Sequence, residues 1–330
     1  MSPAHLRAGR CIGSEQCRLG AVQSFWFLEV CGYCAVDGFA LISGYTASKR
    51  PQRYEKIVQM WFQVVFYSFI VTMILGMAGL TIPLEPQEIK KLLMPVTFKS
   101  FWYFTAYFAL FFMMPILNVF LFSIDEHTAK KTFLVLIVLF SGLGVINDPF
   151  VSGKGYSAIW LIVLYCLGAL AKRIHLFEKR GSLTLGTCFV VMCLCSWGEL
   201  VLLNSKRLIN YISPTILLNG LILVVLFSRI KIKGNLIRKI SPLAFGVYLF
   251  QINVVVWKTV LKGSCIFIAS KPIVAGVGYV FLCAAILFAA GLAVEFLRSR
   301  AAIILRIPVL SQKIAGLAEK TLCRICWILK

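Results

Sequence analysis

Nine long apolar stretches follow one another along the chain, and the polar segments between them are alternately rich and poor in Lys and Arg. Crossing a hydrocarbon core of roughly 30 Å takes about 20 apolar helical residues. Six of the stretches reach that length, and the fourth, fifth and seventh are shorter. The pattern predicts about nine transmembrane helices, over residues 25–47, 57–80, 101–122, 132–147, 156–171, 183–203, 214–228, 243–261 and 273–296.

The composition excludes a soluble globular protein. Hydrophobic residues occupy 60% of the 330 positions and charged residues only 14%, which is too few to cover a soluble core. The net charge of +21 does not indicate nucleic acid binding, because the Lys and Arg residues lie in loops between apolar stretches. We predict an all-α, polytopic integral membrane bundle, a single domain over residues 1–330, that contacts membrane lipid and no nucleic acid.

The basic residues of the loops predict the orientation of the helices. If the C-terminal tail is cytoplasmic, 22 of the 34 Lys and Arg residues lie inside and the other 12 lie outside, as the positive-inside rule expects. Residues 297–330 then form a cytoplasmic tail and residues 1–24 an external segment. Because nine is an odd number and residues 1–24 contain no signal-peptide-like apolar run, we expect one further helix upstream.

Cysteine motifs do not point to a metal or a cofactor. Seven of the 12 cysteines fall within predicted spans, where Cys serves as a small hydrophobic residue. The pair Cys31 and Cys34 lies inside the first span, and the pair Cys323 and Cys326 has no second pair or His nearby. We therefore predict no metal site and no bound cofactor.

Three stretches resemble the membrane acyltransferase-3 family. The first is AVDGFALISGY at residues 35–45, followed by the basic run KRPQRYEK at residues 49–56. The second is FWYFTAY at residues 101–107, which leads to MPILN at residues 114–118. The third is ISPLAFGVYL at residues 240–249, and the likeness extends over about residues 25–305.

The resemblance implies a ten-helix enzyme of the bacterial cytoplasmic membrane that modifies cell-envelope polysaccharide. Such an enzyme takes an acyl group, usually acetyl, from acyl-CoA as co-substrate and delivers it to a hydroxyl of a surface glycan or lipid-linked sugar. The family's expected general base is a His of the first helix, and this chain begins after that point. His5 is the only His before the first span, so the resemblance predicts impaired transfer.

Four cations of the basic run are candidates for binding the phosphates of acyl-CoA. Lys49, Arg50, Arg53 and Lys56 lie where the first span leaves the membrane on the predicted cytoplasmic side. Any cytoplasmic loop is basic, however, and the loop of residues 172–180 is equally so without a family motif.

Asp37 is the sharpest candidate for catalysis, because a carboxylate inside a lipid-spanning helix is costly unless it is paired or faces water. Glu29, Tyr33 and Asp37 are spaced four residues apart, which predicts one stripe toward a cavity. A structural ion pair or hydrogen bond explains Asp37 equally well. Ser43 and Tyr45 are expected to line the same cavity, and Gly38 and Gly44 to permit close helix packing.

Aromatic residues lie at the start of the third span, at its predicted external end. Trp102, Tyr103 and Tyr107 have the placement of interfacial anchors, and they could also form a stacking platform for a sugar ring. Two other functions remain open: a glycan or lipid transporter or flippase, and a non-catalytic membrane relative. A transporter is expected to show paired broken helices and an internal repeat, and no repeat is evident in the sequence.

The topology can be tested with reporter fusions. We expect a reporter placed after Lys330 to be active only in the cytoplasm and one placed in residues 84–99 only outside, because of the distribution of basic residues. Alkaline phosphatase and green fluorescent protein fusions would measure this. The reverse pattern would overturn the assignment.

Overall fold

The computed structural model describes residues 19–79, 86–231, 234–269 and 271–328. These ranges are mainly helical and contain no β-strand, so the all-α prediction is confirmed. In chain order the helices are α1 (Leu19–Tyr33), α2 (Ala35–Tyr45), α3 (Tyr54–Met77), α4 (Pro86–Leu93), α5 (Trp102–Ser123), α6 (Glu126–Asn147), α7 (Ala158–Arg173), α8 (Ser182–Leu203), α9 (Pro214–Arg229), α10 (Ile237–Gln251), α11 (Val254–Ser264), α12 (Ile273–Ile304) and α13 (Ile307–Ile328).

Each of the nine predicted stretches lies on a helix, but the helices differ in length. Six spans in the described residues are long and apolar enough to cross a bilayer: Phe25–Tyr45, α3, α5, α6, α8 and α12. The pair α10 and α11, bent by 59°, makes a seventh if it counts as one broken span. The helices α7 and α9 have 16 residues each and reach only about 24 Å.

The chain divides into two compact units, which we describe separately. Unit I comprises Ser2–Pro51 and Trp102–Ile232, and unit II comprises Gln52–Phe101 and Lys233–Lys330. The single domain over residues 1–330 therefore stays a prediction, as do the sides of the membrane assigned to residues 1–24 and 297–330. In unit II the predicted tail is itself helical, since α12 continues to Ile304 and α13 follows it.

The centre of unit I is the packing of α2 against α7. A Cβ atom at Gly44 would overlap the backbone carbonyl of Tyr165, and one at Gly168 would overlap the backbone carbonyl of Leu41. The two backbones approach so closely that only glycine fits at both positions. The prediction for Gly44 is thus confirmed, whereas a Cβ at Gly38 would meet nothing within 4 Å.

In unit II a buried carboxylate joins α3, α10 and α12. Glu295 is 2% exposed, forms an ion pair with Arg298 at 2.6 Å and accepts a hydrogen bond from the Tyr67 hydroxyl at 2.9 Å. A side chain at Gly246 would overlap this carboxylate. Glu295 is therefore a buried structural residue.

One amide side chain, that of Asn253, forms hydrogen bonds with backbone groups at the break between α10 and α11. Asn253 is 1% exposed, and its Oδ1 accepts hydrogen bonds from the N–H groups of Val255 and Val256 at the start of α11. Its Nδ2 donates to the Tyr67 carbonyl at 2.8 Å and to Thr72 Oγ1 at 3.0 Å. Tyr67 lies in a π-helical turn of α3, where the backbone ladder is locally rearranged.

Alanine substitutions at the two glycines of α2 distinguish the effect of close helix packing on stability from the effect of helix propensity. We expect Gly44→Ala to destabilise the protein by about 1–3 kcal/mol, because the added methyl group meets backbone that cannot move aside. Gly38→Ala is the matched control and is expected to be neutral or slightly stabilising. Thermal unfolding of both variants in detergent measures the difference, and equal unfolding temperatures would contradict the proposed contact.

Candidate functional site

A buried carboxylate lies between α2 and α7 of unit I. Asp37 is 1% exposed, and its Oδ1 accepts a hydrogen bond from Trp160 Nε1 at 3.2 Å. Its other oxygen, Oδ2, is buried and has no hydrogen-bond partner in the described part of the chain. A buried polar atom without a partner is uncommon and marks a candidate functional group.

Four aromatic side chains pack together one helical turn from Asp37. We call them the aromatic cluster: Tyr33, Trp102, Tyr156 and Tyr211. The Tyr33 and Tyr211 rings stack at 4.4 Å, and the Trp102 ring lies edge-on to Tyr156 at 4.7 Å. Burial in this cluster raises the pKa of Tyr211, so its hydroxyl remains protonated.

A cavity of about 530 Å³ opens beside the aromatic cluster and lies entirely within unit I. Tyr33 and Tyr156 form part of its wall, and three cations reach it from two loops. The lining residues are Tyr33, Gly144, Val145, Ile146, Asn147, Asp148, Lys154, Tyr156, Lys206, Arg207, Ile209, Asn210 and Ile212. Asp37 is not among them.

The first of these loops is folded around Asp148. Its carboxylate accepts hydrogen bonds from the N–H and hydroxyl of Ser152 and from the N–H of Lys154. Burial opposes ionisation of Asp148, but these hydrogen bonds outweigh it and hold the pKa of the carboxyl below its usual value. Gly153, Lys154 and Gly155 all have positive φ, and a Cβ at Gly155 would overlap the Tyr211 side chain.

The second loop is held by Glu199. Its Oε1 accepts a hydrogen bond from Ser205 Oγ at 2.7 Å, and its Oε2 accepts one from the Leu208 N–H at 2.7 Å. Between them, the Lys206 ammonium lies over the Trp26 ring at 4.7 Å from its centroid. Glu199 is therefore structural.

The predicted acyl-CoA cations are divided between the two units. Lys49 and Arg50 belong to unit I and are exposed, with Lys49 Nζ 6.0 Å from the centre of the Phe122 ring. Arg53 and Lys56 belong to unit II and are also exposed. Arg53 forms an ion pair with Glu55 at 2.6 Å, so one of the four predicted cations already has a carboxylate partner.

The predicted cavity residues Glu29 and Ser43 lie elsewhere in unit I. Glu29 is half-buried on α1, and neither it nor Ser43 lines the cavity. Ser43 hydrogen-bonds along its own helix to the Phe39 carbonyl and also to the Tyr107 hydroxyl of α5. Of the predicted stripe of Glu29, Tyr33 and Asp37, only Tyr33 reaches the cavity.

Tyr45 lies at the other end of the α2–α7 pair. Its hydroxyl donates to Ser228 Oγ at 3.5 Å, and the Lys172 ammonium lies 5.7 Å from the centre of its ring. Since Tyr33 and Tyr156 meet at the cavity, before the N-terminal ends of the two helices, and Tyr45 and Lys172 meet here, near their C-terminal ends, α2 and α7 run parallel. Asp37 lies about 12 Å along the helix from Tyr45.

The predicted sugar platform is mostly packed against protein. Trp102 stacks on Tyr211 within the aromatic cluster, and Tyr103 is 9% exposed and packs against Phe39. Neither residue lines the cavity. Tyr107, on the same helix, is half-buried, so these residues serve mainly to join α5 to its neighbours.

No histidine of the described chain is buried. His127 and His175 are exposed, and His175 pairs with Glu178 at 3.0 Å. His5, the second candidate base, lies outside the described residues. Among the groups that the structure describes, Asp37 remains the candidate base.

A family model for an acyltransferase domain, that of the acyltransferase-3 family, matches residues 18–295 of the chain. The chain belongs to the acyltransferase-3 family. No curated protein and no solved structure matches it. With its apolar helices, membership of this family supports an integral membrane protein that acts as an acyltransferase.

The acyltransferase-3 motifs acquire structural roles. Asn118 of the MPILN segment accepts a hydrogen bond from the Tyr165 hydroxyl at 2.7 Å and thereby joins α5 to α7. Gly246 of the ISPLAFGVYL segment leaves room for the buried carboxylate of Glu295. The second motif therefore stabilises unit I and the third stabilises unit II.

Several site residues were missed from the sequence of this acyltransferase-3 protein. Trp160 and Tyr156 are spaced four residues apart at the start of the fifth stretch, a signal that could have placed them on one helix face. No motif in the sequence pointed to Lys206 or Arg207. The loop that carries them acquires its shape from Glu199, which periodicity does not reveal.

Proposed function

We propose that the chain transfers an acyl group, in the first instance acetyl, from acyl-CoA to a hydroxyl of an extracytoplasmic glycan, with Asp37 as the general base. The observation that supports this best is the arrangement along the α2–α7 pair of unit I. Cations lie at one end of the pair, the cavity lies at the other end, and a buried carboxylate with a free oxygen lies between them.

The cationic end suits the donor. CoA carries several phosphate groups, which Lys and Arg bind through charge-assisted hydrogen bonds. Lys49 and Arg50 follow directly after α2 and are exposed, and Lys172 lies over Tyr45 at the adjoining end of α7. Arg53 and Lys56 continue the same basic run along the sequence but belong to unit II, so their part in donor binding stays a prediction.

The proposed chemistry needs one proton acceptor. The acceptor hydroxyl oxygen attacks the thioester carbonyl carbon, the C–S bond breaks, and CoA leaves as a thiolate. Asp37 takes the hydroxyl proton on Oδ2 and passes it to the thiolate, so that atoms and charges balance. Trp160 holds Oδ1 and thereby orients the carboxylate.

The predicted topology agrees with this direction of transfer. With 22 of the 34 basic residues inside, the cation end of α2 faces the cytoplasm, where acyl-CoA is available, and the cavity faces outward. We propose the bacterial cytoplasmic membrane as the location and a surface glycan or lipid-linked sugar as the acceptor.

The fold gives little support to the alternative that the protein is a transporter. Transporters typically pair two broken helices from related halves. The residues that the structure describes contain one bent pair, α10 and α11, with no counterpart in unit I. A non-catalytic relative is distinguished by the experiments that follow.

Donor binding tests the cation site. We expect Lys49→Gln with Arg50→Gln to weaken acetyl-CoA binding by about tenfold, because two exposed charge contacts are lost. Lys179→Gln with Arg180→Gln, from the equally basic loop without a family motif, is the matched control and should bind normally. Isothermal titration of the detergent-solubilised full chain measures this. Equal weakening by both pairs would contradict the site, and failure of the unsubstituted chain to bind acetyl-CoA would favour the transporter.

Substitution of Asp37 tests the proposed base. We expect Asp37→Asn to reduce transfer of labelled acetyl groups from acetyl-CoA to membrane glycan by a factor of roughly 10² to 10⁴, since the amide cannot take the proton. Glu178→Gln, at an exposed carboxylate, is the control and should leave transfer unchanged. An unchanged unfolding temperature would separate loss of catalysis from loss of fold. Full transfer by a folded Asp37→Asn variant would exclude Asp37 as the base.

A further inference from the structure

We propose that the cavity of unit I selects an anionic acceptor: a carboxylate or phosphate group on a sugar contacts Lys154, Lys206 and Arg207 while the sugar ring lies against Tyr33 and Tyr156. This inference rests on the proposed function, because it names the acceptor class of the same transfer. The family match indicates acyl transfer in general and carries no information about the charge of the acceptor.

The charge of the cavity is the first argument. Three cations line it against one carboxylate, Asp148, whose oxygens already accept three hydrogen bonds from its own loop. Glu199, the acid of the other loop, is likewise occupied by Ser205 and Leu208. In the described part of the chain no carboxylate forms an ion pair with any of the three cations. The cavity therefore has an uncompensated positive charge.

Two of the three cations are also positioned before any ligand arrives, Lys154 through its backbone and Lys206 through its side chain. Lys154 has a φ of 54°, a left-handed conformation that costs a residue with a side chain free energy and that the bonds to Asp148 maintain. Lys206 is anchored over the ring of Trp26, which is 5% exposed. Prior ordering of charged side chains lowers the entropy lost on binding.

The remaining walls suit a sugar. Aromatic ring faces carry partial negative charge and attract the C–H groups of a pyranose face. Two tyrosines, Tyr33 and Tyr156, are among the residues that line the cavity. Asn210 also lines the cavity, and its buried Oδ1 accepts no hydrogen bond within the described chain. A volume of about 530 Å³ lies in the range of ordinary small-molecule sites.

Direct binding measurements test this without any acyl transfer. The full chain is placed in nanodiscs of phosphatidylcholine and titrated with trigalacturonate, glucose 6-phosphate and the neutral trisaccharide maltotriose. We expect at least one of the two anionic probes to bind more tightly than maltotriose. In Lys206→Gln with Arg207→Gln, affinity for that probe should fall about tenfold, and affinity for maltotriose should not change. The better anionic probe identifies the carboxylate or the phosphate as the recognised group.

Three controls keep the result specific. Lys258→Gln removes an exposed cation outside the cavity and should leave all affinities unchanged. Nanodiscs containing phosphatidylglycerol test whether a lipid headgroup occupies the site, and loss of sugar binding in them would overturn the sugar assignment. Acetyl-CoA binding by Lys206→Gln with Arg207→Gln should be normal.

The outcomes separate this proposal from the proposed function. Equal affinity of the unsubstituted chain for charged and neutral probes, or no binding of either anionic probe, overturns the anionic acceptor while acetyl-CoA binding still supports acyl transfer. Charge-dependent sugar binding without acetyl-CoA binding overturns acyl transfer and leaves the anionic sugar site standing. An equal effect of Lys258→Gln would also overturn the proposal, because it would reduce the selectivity to general surface charge.

Discussion

The direct contact between the backbones of α2 and α7 is the constraint on which unit I depends. Because Gly44 and Gly168 allow the two helices to touch, the remaining side chains along the pair meet in a fixed parallel register. That register brings Trp160 to Asp37 and places Tyr156 and Tyr33 together at the cavity. A side chain at either glycine would separate the helices and with them the buried hydrogen bond. Packing and the candidate chemistry of unit I thus share one cause.

The burial of Asp37 could be predicted from the sequence, but its hydrogen-bond partner could not. A carboxylate inside an apolar helix must turn away from lipid, and burial of Asp37 follows from that energetic argument. Its partner could not be predicted, because which residue of another helix lies opposite depends on the register of the two glycines. The nine apolar stretches were likewise located by hydropathy, whereas the break at Asn253 depends on hydrogen bonds to α3 that no local pattern encodes.

Charge counting located the loops but not their function. The run at residues 49–56 was chosen for its four cations, yet Glu55 pairs with one of them. Lys206 and Arg207 received no role, although Glu199 folds their loop toward the cavity beside Lys154. Trp102 and Tyr103 satisfy an interfacial rule in the sequence and pack against other aromatic rings in the fold. Residues whose role depends on a distant partner are those that sequence reasoning misassigned or missed.

The amide of Asn253 has a consequence for the order in which unit II is assembled. Its two partners on α3, the Tyr67 carbonyl and Thr72, precede it by 186 and 181 residues. During synthesis α3 therefore leaves the ribosome long before the broken span that needs it. When α10 and α11 insert, the hydrogen-bonding groups of Tyr67 and Thr72 on α3 are already in the bilayer. Without α3, the amide of Asn253 would be exposed to lipid without these partners. Biogenesis of this protein is in that respect directional, from the N-terminal part to the C-terminal part.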